Sequence, residues 1–446
     1  MSAILKELSQ IIERRDTPDP ELIRKHNIKL GLRNEDGSGV IVGLTSKGHV
    51  VGYTKNAEGK KIDVDGELYY CGIDIRELAT GYRRGAGYEE TAFLLLTGTL
   101  PTQTQLDAFT EYLASRRNLP MHFRNALSAI VNDNMMNSLE IAVSSLYGED
   151  SAPASTAIED VTRHSIDLIA ALPALVSYAY HAMQYKYHGQ SLNLVNPLQG
   201  GSHADNFLHM FRAGAGHTAE EADLLDLFLI LHAEHGGGNN STFTVRTVSS
   251  SGTDTFSAVT AGLASLKGHL HGGANEQVMA MLAEIKIAVK DWSDRDEIAA
   301  YLRRLLRKQA GDGSGKIYGI GHAVYTLSDP RALILKDVTR KLAISRDRLA
   351  EFELLAAIGE LAPGLVEEAK PGKKVAPNVD FYSGLMLDFM GIPVEVYTPL
   401  FAMSRVAGWC AHRLEQLVQN RLIRPAYMSA APKRPYMPVE QRPGNR

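Results

Sequence analysis

The chain has 446 residues, enough for two or three folding units or for one large domain with an insertion. Its 44% hydrophobic and 22% charged residues exclude a disordered, collagen-like or coiled-coil protein over most of the length. Forty-seven Lys+Arg against 51 Asp+Glu give a net charge of −4, which argues against a general nucleic-acid or anionic-membrane binder. That charge is uneven. Residues 401–446 hold eight Lys+Arg and two acids, a net +6, which leaves −10 on residues 1–400. The two cysteines, Cys71 and Cys410, form neither a disulfide framework nor a zinc ribbon, and they fit a reducing compartment.

The first 15 residues mix acids and bases without a continuous apolar run, so neither a secretory signal nor a transit peptide is expected, and a cytoplasmic location is. Residues 37–75 alternate β-prone pieces, 39–43 and 49–53 among them, with Gly, Asn and Asp turns; two or three small strands are expected. From Ile73 onward helical patterns dominate. Residues 88–96 are apolar and helical. The run 168–183 is the nearest approach to a membrane span, but Pro173 interrupts it and Gln184 and Lys186 follow, so it reads as a buried core helix.

Thr218 and Glu221 form a capping-box pattern that opens an apolar helix, expected to stop at Gly236-Gly237-Gly238. Further helices are expected over 254–267, from just after His271, over 294–308 and 346–361, from near Asp380, and over 399–418. The proline-containing tail from Arg424 reads as extended.

Several stretches could carry chemistry. Residues 311–316 imitate a phosphate loop, but Ala310 replaces the first glycine and Ile317 follows the lysine, so a flexible loop is the better reading. His232 and His235 end an apolar helix at i,i+3 spacing, and a zinc site there lacks a third ligand. His269 and His271 sit among glycines just before a helix, where the dipole disfavours protonation; a neutral imidazole there can donate to a carbonyl. His322 lies in a second glycine setting, with Arg331 beyond an Asp-Pro turn. Asp380 sits among apolar neighbours in Pro377-Asn378-Val379-Asp380, either as a helix cap or as a general base whose burial raises its proton affinity.

Taken together and in this order, the stretch His232–His235, Gly268-x-x-His271-Gly-Gly-Ala-Asn-Glu276, Gly321-His322-x-Val324…Asp329-Pro330-Arg331 and Pro377-Asn-Val-Asp380 resembles the citrate synthase family. The resemblance spans roughly residues 67–428. It implies a mainly α, citrate synthase-like two-domain helical fold with a small N-terminal β element. A large domain would comprise 1–274 and 386–446, and a small domain 275–385. It implies a tricarboxylic acid cycle transferase of the EC 2.3.3 type that condenses acetyl-CoA with oxaloacetate and hydrolyses citryl-CoA. The nearest alternative is 2-methylcitrate synthase acting on propionyl-CoA. A histidine-dependent metallohydrolase and a non-catalytic helical scaffold are the other readings.

By the same resemblance His271, His322 and Asp380 form the catalytic trio. His235, Arg331, Arg405 and Arg424 bind oxaloacetate, Arg424 from the partner subunit of a homodimer. Lys373 and Lys374 approach the CoA phosphates. No metal and no tightly bound cofactor is expected, with acetyl-CoA as a cosubstrate and neither nucleic acid nor membrane as a partner. The chain departs from the pattern at Ala323 and Thr326, where basic residues are common, and at Cys71, Gly236 and His269. Thr326 cannot supply a cation to CoA.

Overall fold

The computed structural model describes residues 3–15, 19–82 and 84–442. It divides into two compact units, Met1–Leu44 with Ile423–Arg446, and Thr45–Leu422. In the first unit, the helix Ala3–Arg15 exposes Ile4, Leu5, Leu8, Ile11 and Ile12, and Asp19 caps the short helix Pro20–Lys25. Residues 39–43, expected as a strand, form none: Gly39 makes a single bridge to Arg33, and Ile41 is almost fully exposed. Val40 N–H donates to Leu32 O (2.9 Å), but the run has no partner strand to extend that pairing. The tail is extended apart from one short turn at Val439–Gln441.

The second unit is helical, with one antiparallel sheet of β1 (Gly48–Lys55), β2 (Lys61–Tyr70) and β3 (Ile73–Asp74) in that order. The pairing slips between Val51 and Tyr53, whose partners are Glu67 and Asp63, so 64–66 of β2 bulge opposite Gly52. The helix Ile158–His188 runs through Pro173 with most of its apolar window buried, so the apolar run 168–183 is core. Thr218 and Glu221 make the capping box of Ala219–His232. Asp254 and Asp294 cap Thr255–Leu266 and Arg295–Leu306.

Two helix ends differ from expectation. Ala219–His232 stops before the glycines, because the Glu234 N–H turns to the Tyr70 hydroxyl and Gly236 adopts φ +75°. Leu349–Ala369 continues past 361 through Pro363, its buried face carrying Leu355, Ala362 and Val366 into the core. Tertiary burial outweighs the one backbone donor that proline removes.

Two helices adjoin the prospective chemistry: Ala274–Ala288 follows the turn that holds His271, and Val379–Phe389 carries Asp380. They cross where Asn275 Nδ2 donates to Ser383 Oγ (2.8 Å) and where Gly384 packs against Asn275. A Cβ on Gly384 would lie 2.2 Å from Asn275 Oδ1 and 2.9 Å from Met279. Gly384→Ala is therefore expected to cost about 1–3 kcal/mol of stability, read from the midpoint of a urea unfolding curve.

Candidate active site

His235 lies in the turn after Ala219–His232, not on that helix, so it does not share a helical face with His232. The His232 ring stacks on Phe228 and meets Phe401 edge-on, with its Nδ1 bonded to Phe228 O (2.8 Å). His235 instead faces His322 and Tyr325, with ring centroids 5.0 and 5.5 Å away. Burial, then the charge of Arg331, then His322 and Arg405, hold its pKa well below 6.5. Its Nε2 is buried and has no hydrogen-bond partner among the described residues. Such an orphaned polar atom is costly unless a ligand meets it.

His271 occupies the turn between Thr255–Leu266 and Ala274–Ala288. The backbone N–H of Ser241 donates to its Nε2 (3.2 Å), and Ser241 Oγ lies 2.9 Å from the same atom. A backbone amide can only donate, so Nε2 accepts and the proton of the neutral ring sits on Nδ1. Trp409 Nε1 in turn holds Ser241 Oγ (3.2 Å). Burial and then the Arg405 charge lower the His271 pKa to about 4, so the ring is neutral at pH 7.

His322 has the opposite tautomer. Its Nδ1 accepts from the amides of Val324 (3.0 Å) and Tyr325 (3.1 Å), which leaves the proton on Nε2. The ring stacks on Tyr325 at 4.7 Å. The loop is zipped to the segment before Asp380: Gly321 N–H donates to Ala376 O, Asn378 N–H to Gly319 O, and Asn378 Nδ2 to Gly321 O.

Asp380 is not the helix cap. Asn378 caps Val379–Phe389, its Oδ1 accepting the Asp380 N–H at 3.0 Å, and Asp380 sits in the first turn. Its carboxylate accepts no hydrogen bond from protein among the described residues. Burial raises its pKa from 3.8 to about 6, against the lowering charges of Arg331 and Arg405 and with help from Asp329.

The two buried arginines are prepared differently. Arg331 makes a two-point pair with Asp329 (3.1 and 2.8 Å), and Asp329 also accepts the Val379 N–H (3.2 Å). Arg405 gives only Nε, to His232 O at 2.6 Å, and lies over Phe401. Burial pulls its pKa down to about 10. Its terminal nitrogens bind no protein acceptor among the described residues, so they suit an anion.

Lys373 borders a cavity of about 230 Å³, along with Lys316 and Lys370, beneath the backbone of Gly319–Gly321. Lys374 is 3.7 Å from Asp63. Arg424 is exposed in the first unit. The Thr326 hydroxyl is buried without a partner among the described residues. Both thiols are protonated, burial pushing Cys71 and Cys410 up to about 11, so neither offers a thiolate. Among the described residues no three His, Cys, Asp or Glu side chains gather as a metal site.

Sequence reading missed Ser241, Tyr325 and the buried Glu234–His412 pair (2.9 Å) behind Arg405. Nothing in the local sequence around Ser241 signals that its amide meets a ring 30 residues away. Asn378 did carry a signal, since Asn is a preferred cap and lies two residues before Asp380.

Two neutral imidazoles with fixed protons, a carboxyl poised near neutrality and two buried guanidinium groups define an acid–base enzyme for an anionic carbonyl substrate. The family model "Citrate synthase, C-terminal domain" matches residues 38–426. The citrate synthase of Haloferax volcanii is 38% identical over 86% of this chain and 96% of its own. A 2-methylcitrate synthase of Shewanella oneidensis is 35% identical over 84% and 92%. Among solved structures, the citrate synthase of Pyrobaculum aerophilum aligns with a TM-score of 0.74 and 33% identity, over 91% of this chain and 94% of that one. A Thermoplasma acidophilum citrate synthase in ternary complex with carboxymethyl coenzyme A and oxaloacetate aligns at 0.75 and 27%, over 93% and 99%. The chain belongs to the citrate synthase family, enzymes that transfer an acyl group and convert it to alkyl.

Proposed function

We propose that the protein condenses acetyl-CoA with oxaloacetate and hydrolyses the citryl-CoA thioester, as a cytoplasmic homodimer. Asp380 takes a proton from the acetyl methyl group. The His271 Nδ1–H hydrogen-bonds the thioester oxygen as it becomes an enol. The new carbon–carbon bond places negative charge on the oxaloacetate ketone oxygen, which receives the His322 Nε2–H. Water then attacks the thioester and releases CoA. The supporting observation is the pair of imidazoles locked by backbone amides into complementary neutral tautomers, with His271 and the raised-pKa carboxyl of Asp380 both feeling the charge of Arg405. A carboxylate alone is too weak a base for a carbon acid, so the oxygen must be stabilised as the proton leaves.

Arg331, Arg405 and His235 hold oxaloacetate, joined by Arg424 of the partner subunit. The small domain is residues 275–385, and CoA reaches the cavity bordered by Lys316, Lys370 and Lys373, which offsets the lost cation at Thr326. The presence of relatives named 2-methylcitrate synthase favours a second reading, propionyl-CoA as acyl donor. One methylene is worth only about 1–3 kcal/mol of discrimination. Oxaloacetate-dependent thiol release, measured on both acyl-CoAs, tests both readings; release with neither would overturn the assignment.

The pH profile follows from Asp380. The base form is needed, and its pKa is raised to about 6. We expect kcat/KM to be flat above pH 6 and to fall tenfold per unit below it. His271, at about 4, stays neutral across that limb. A limb set instead near pH 4 in initial-rate profiles would contradict the burial of Asp380.

A further inference from the structure

We infer that the β1–β2 hairpin is a latch that positions the His322–Arg331 loop, with Ser328 and the Asp65-Gly66 bulge as its positioning residues. The inference rests on the proposed roles of His322 and Arg331. The bulge at 64–66 is where β2 leaves its register with β1. Ser328 bonds to it twice: its hydroxyl donates to Asp65 Oδ1 (2.9 Å) and accepts the Gly66 N–H (3.0 Å). An alanine at this position could make neither contact.

The fit is close at both strands. A Cβ on Gly66 would lie 2.1 Å from Ser328 O and 2.8 Å from the Tyr325 ring. One on Gly52, opposite the bulge, would lie 2.4 Å from Val324 O. Tyr325 OH adds a bond to Glu67 O (3.3 Å). The loop is thus gripped at Val324, Tyr325 and Ser328. The first two supply the amides that fix the His322 tautomer, and the third stands just before Asp329, the carboxylate that aims Arg331. A bulge re-aims backbone toward a neighbour, and bulges recur beside active sites for that reason.

The consequence is specific to one substrate. Loosening the latch disturbs His322 and Arg331, two of the groups assigned to oxaloacetate, and leaves those assigned to the acyl-CoA. We expect Ser328→Ala to raise KM for oxaloacetate about three- to tenfold, the worth of a lost hydrogen bond, with KM for acetyl-CoA unchanged. Ser328→Thr, which keeps the hydroxyl, should restore most of the loss. Asp65→Ala should behave like Ser328→Ala, and the double variant should be no worse than either.

A readout independent of substrate is amide hydrogen exchange. Val324 and Tyr325 should exchange about tenfold faster in Ser328→Ala, while the Ala274–Ala288 helix does not change. Unchanged exchange at 324–325, or equal KM rises for both substrates, would overturn the latch. If the parent enzyme releases no CoA with oxaloacetate, the functional reading fails while the exchange result still decides the latch.

Discussion

Asp380→Asn is expected to lower turnover about 10²–10⁴-fold, the usual worth of a positioned general base, in the oxaloacetate-dependent thiol-release assay. Asparagine keeps the shape and the backbone bond to Asn378 but cannot accept the methyl proton. The same substitution should stabilise the fold. A carboxyl whose pKa rises from 3.8 to about 6 on folding favours the folded state fully below pH 4 and loses that advantage as pH rises through 6. Above pH 6 the buried charge costs about 2–3 kcal/mol, and the amide removes it. Lost turnover with a raised melting temperature at pH 7–8, shrinking toward pH 4, is the expected pair of results. A variant that kept near-parental turnover would refute the base assignment.

His271→Ala removes the Nδ1–H and should lower kcat about 10²–10³-fold, the worth of one oxyanion donor. KM for oxaloacetate should change little, because Arg331 and Arg405 lie on other elements. The Ser241 amide, no longer bound to Nε2, is left to water. His271→Asn, which returns a donor amide without a titratable ring, should recover part of the rate. The oligomeric state, read by light scattering, should match the parent. A large rise in oxaloacetate KM with intact kcat would place His271 in binding instead.

The helical class and most helix starts were readable because their signals are local. Thr218 with Glu221, Asp254 and Asp294 each cap the next turn through their own side chains, and no distant contact is required. Helix stops and strands were less readable. Residues 39–43 carry strand-forming side chains, yet a strand exists only with a partner to pair with. Ala219–His232 ends early because Tyr70, 164 residues before Glu234, captures an amide. Pro363 does not end its helix, because the buried face continues beyond it.

The candidate site divides the same way. The sequence by itself determined which side chains are available: the three histidines in glycine settings, Asp380 in its Pro-Asn-Val-Asp turn, and arginines at 331, 405 and 424. It also determined that His271 precedes a helix, which is a matter of spacing. Only the tertiary structure decided what each group does. The tautomer of His271 is set by the amide of Ser241 and that of His322 by its own loop folding back. The proton affinity of Asp380 is set by the burial of its carboxylate and by two arginines. These are effects of through-space charge and excluded water, which fall off over a few ångströms. Residues that act on one another at that range here can be 170 positions apart in the chain, as His235 and Arg405 are, and no local pattern reports such a distance.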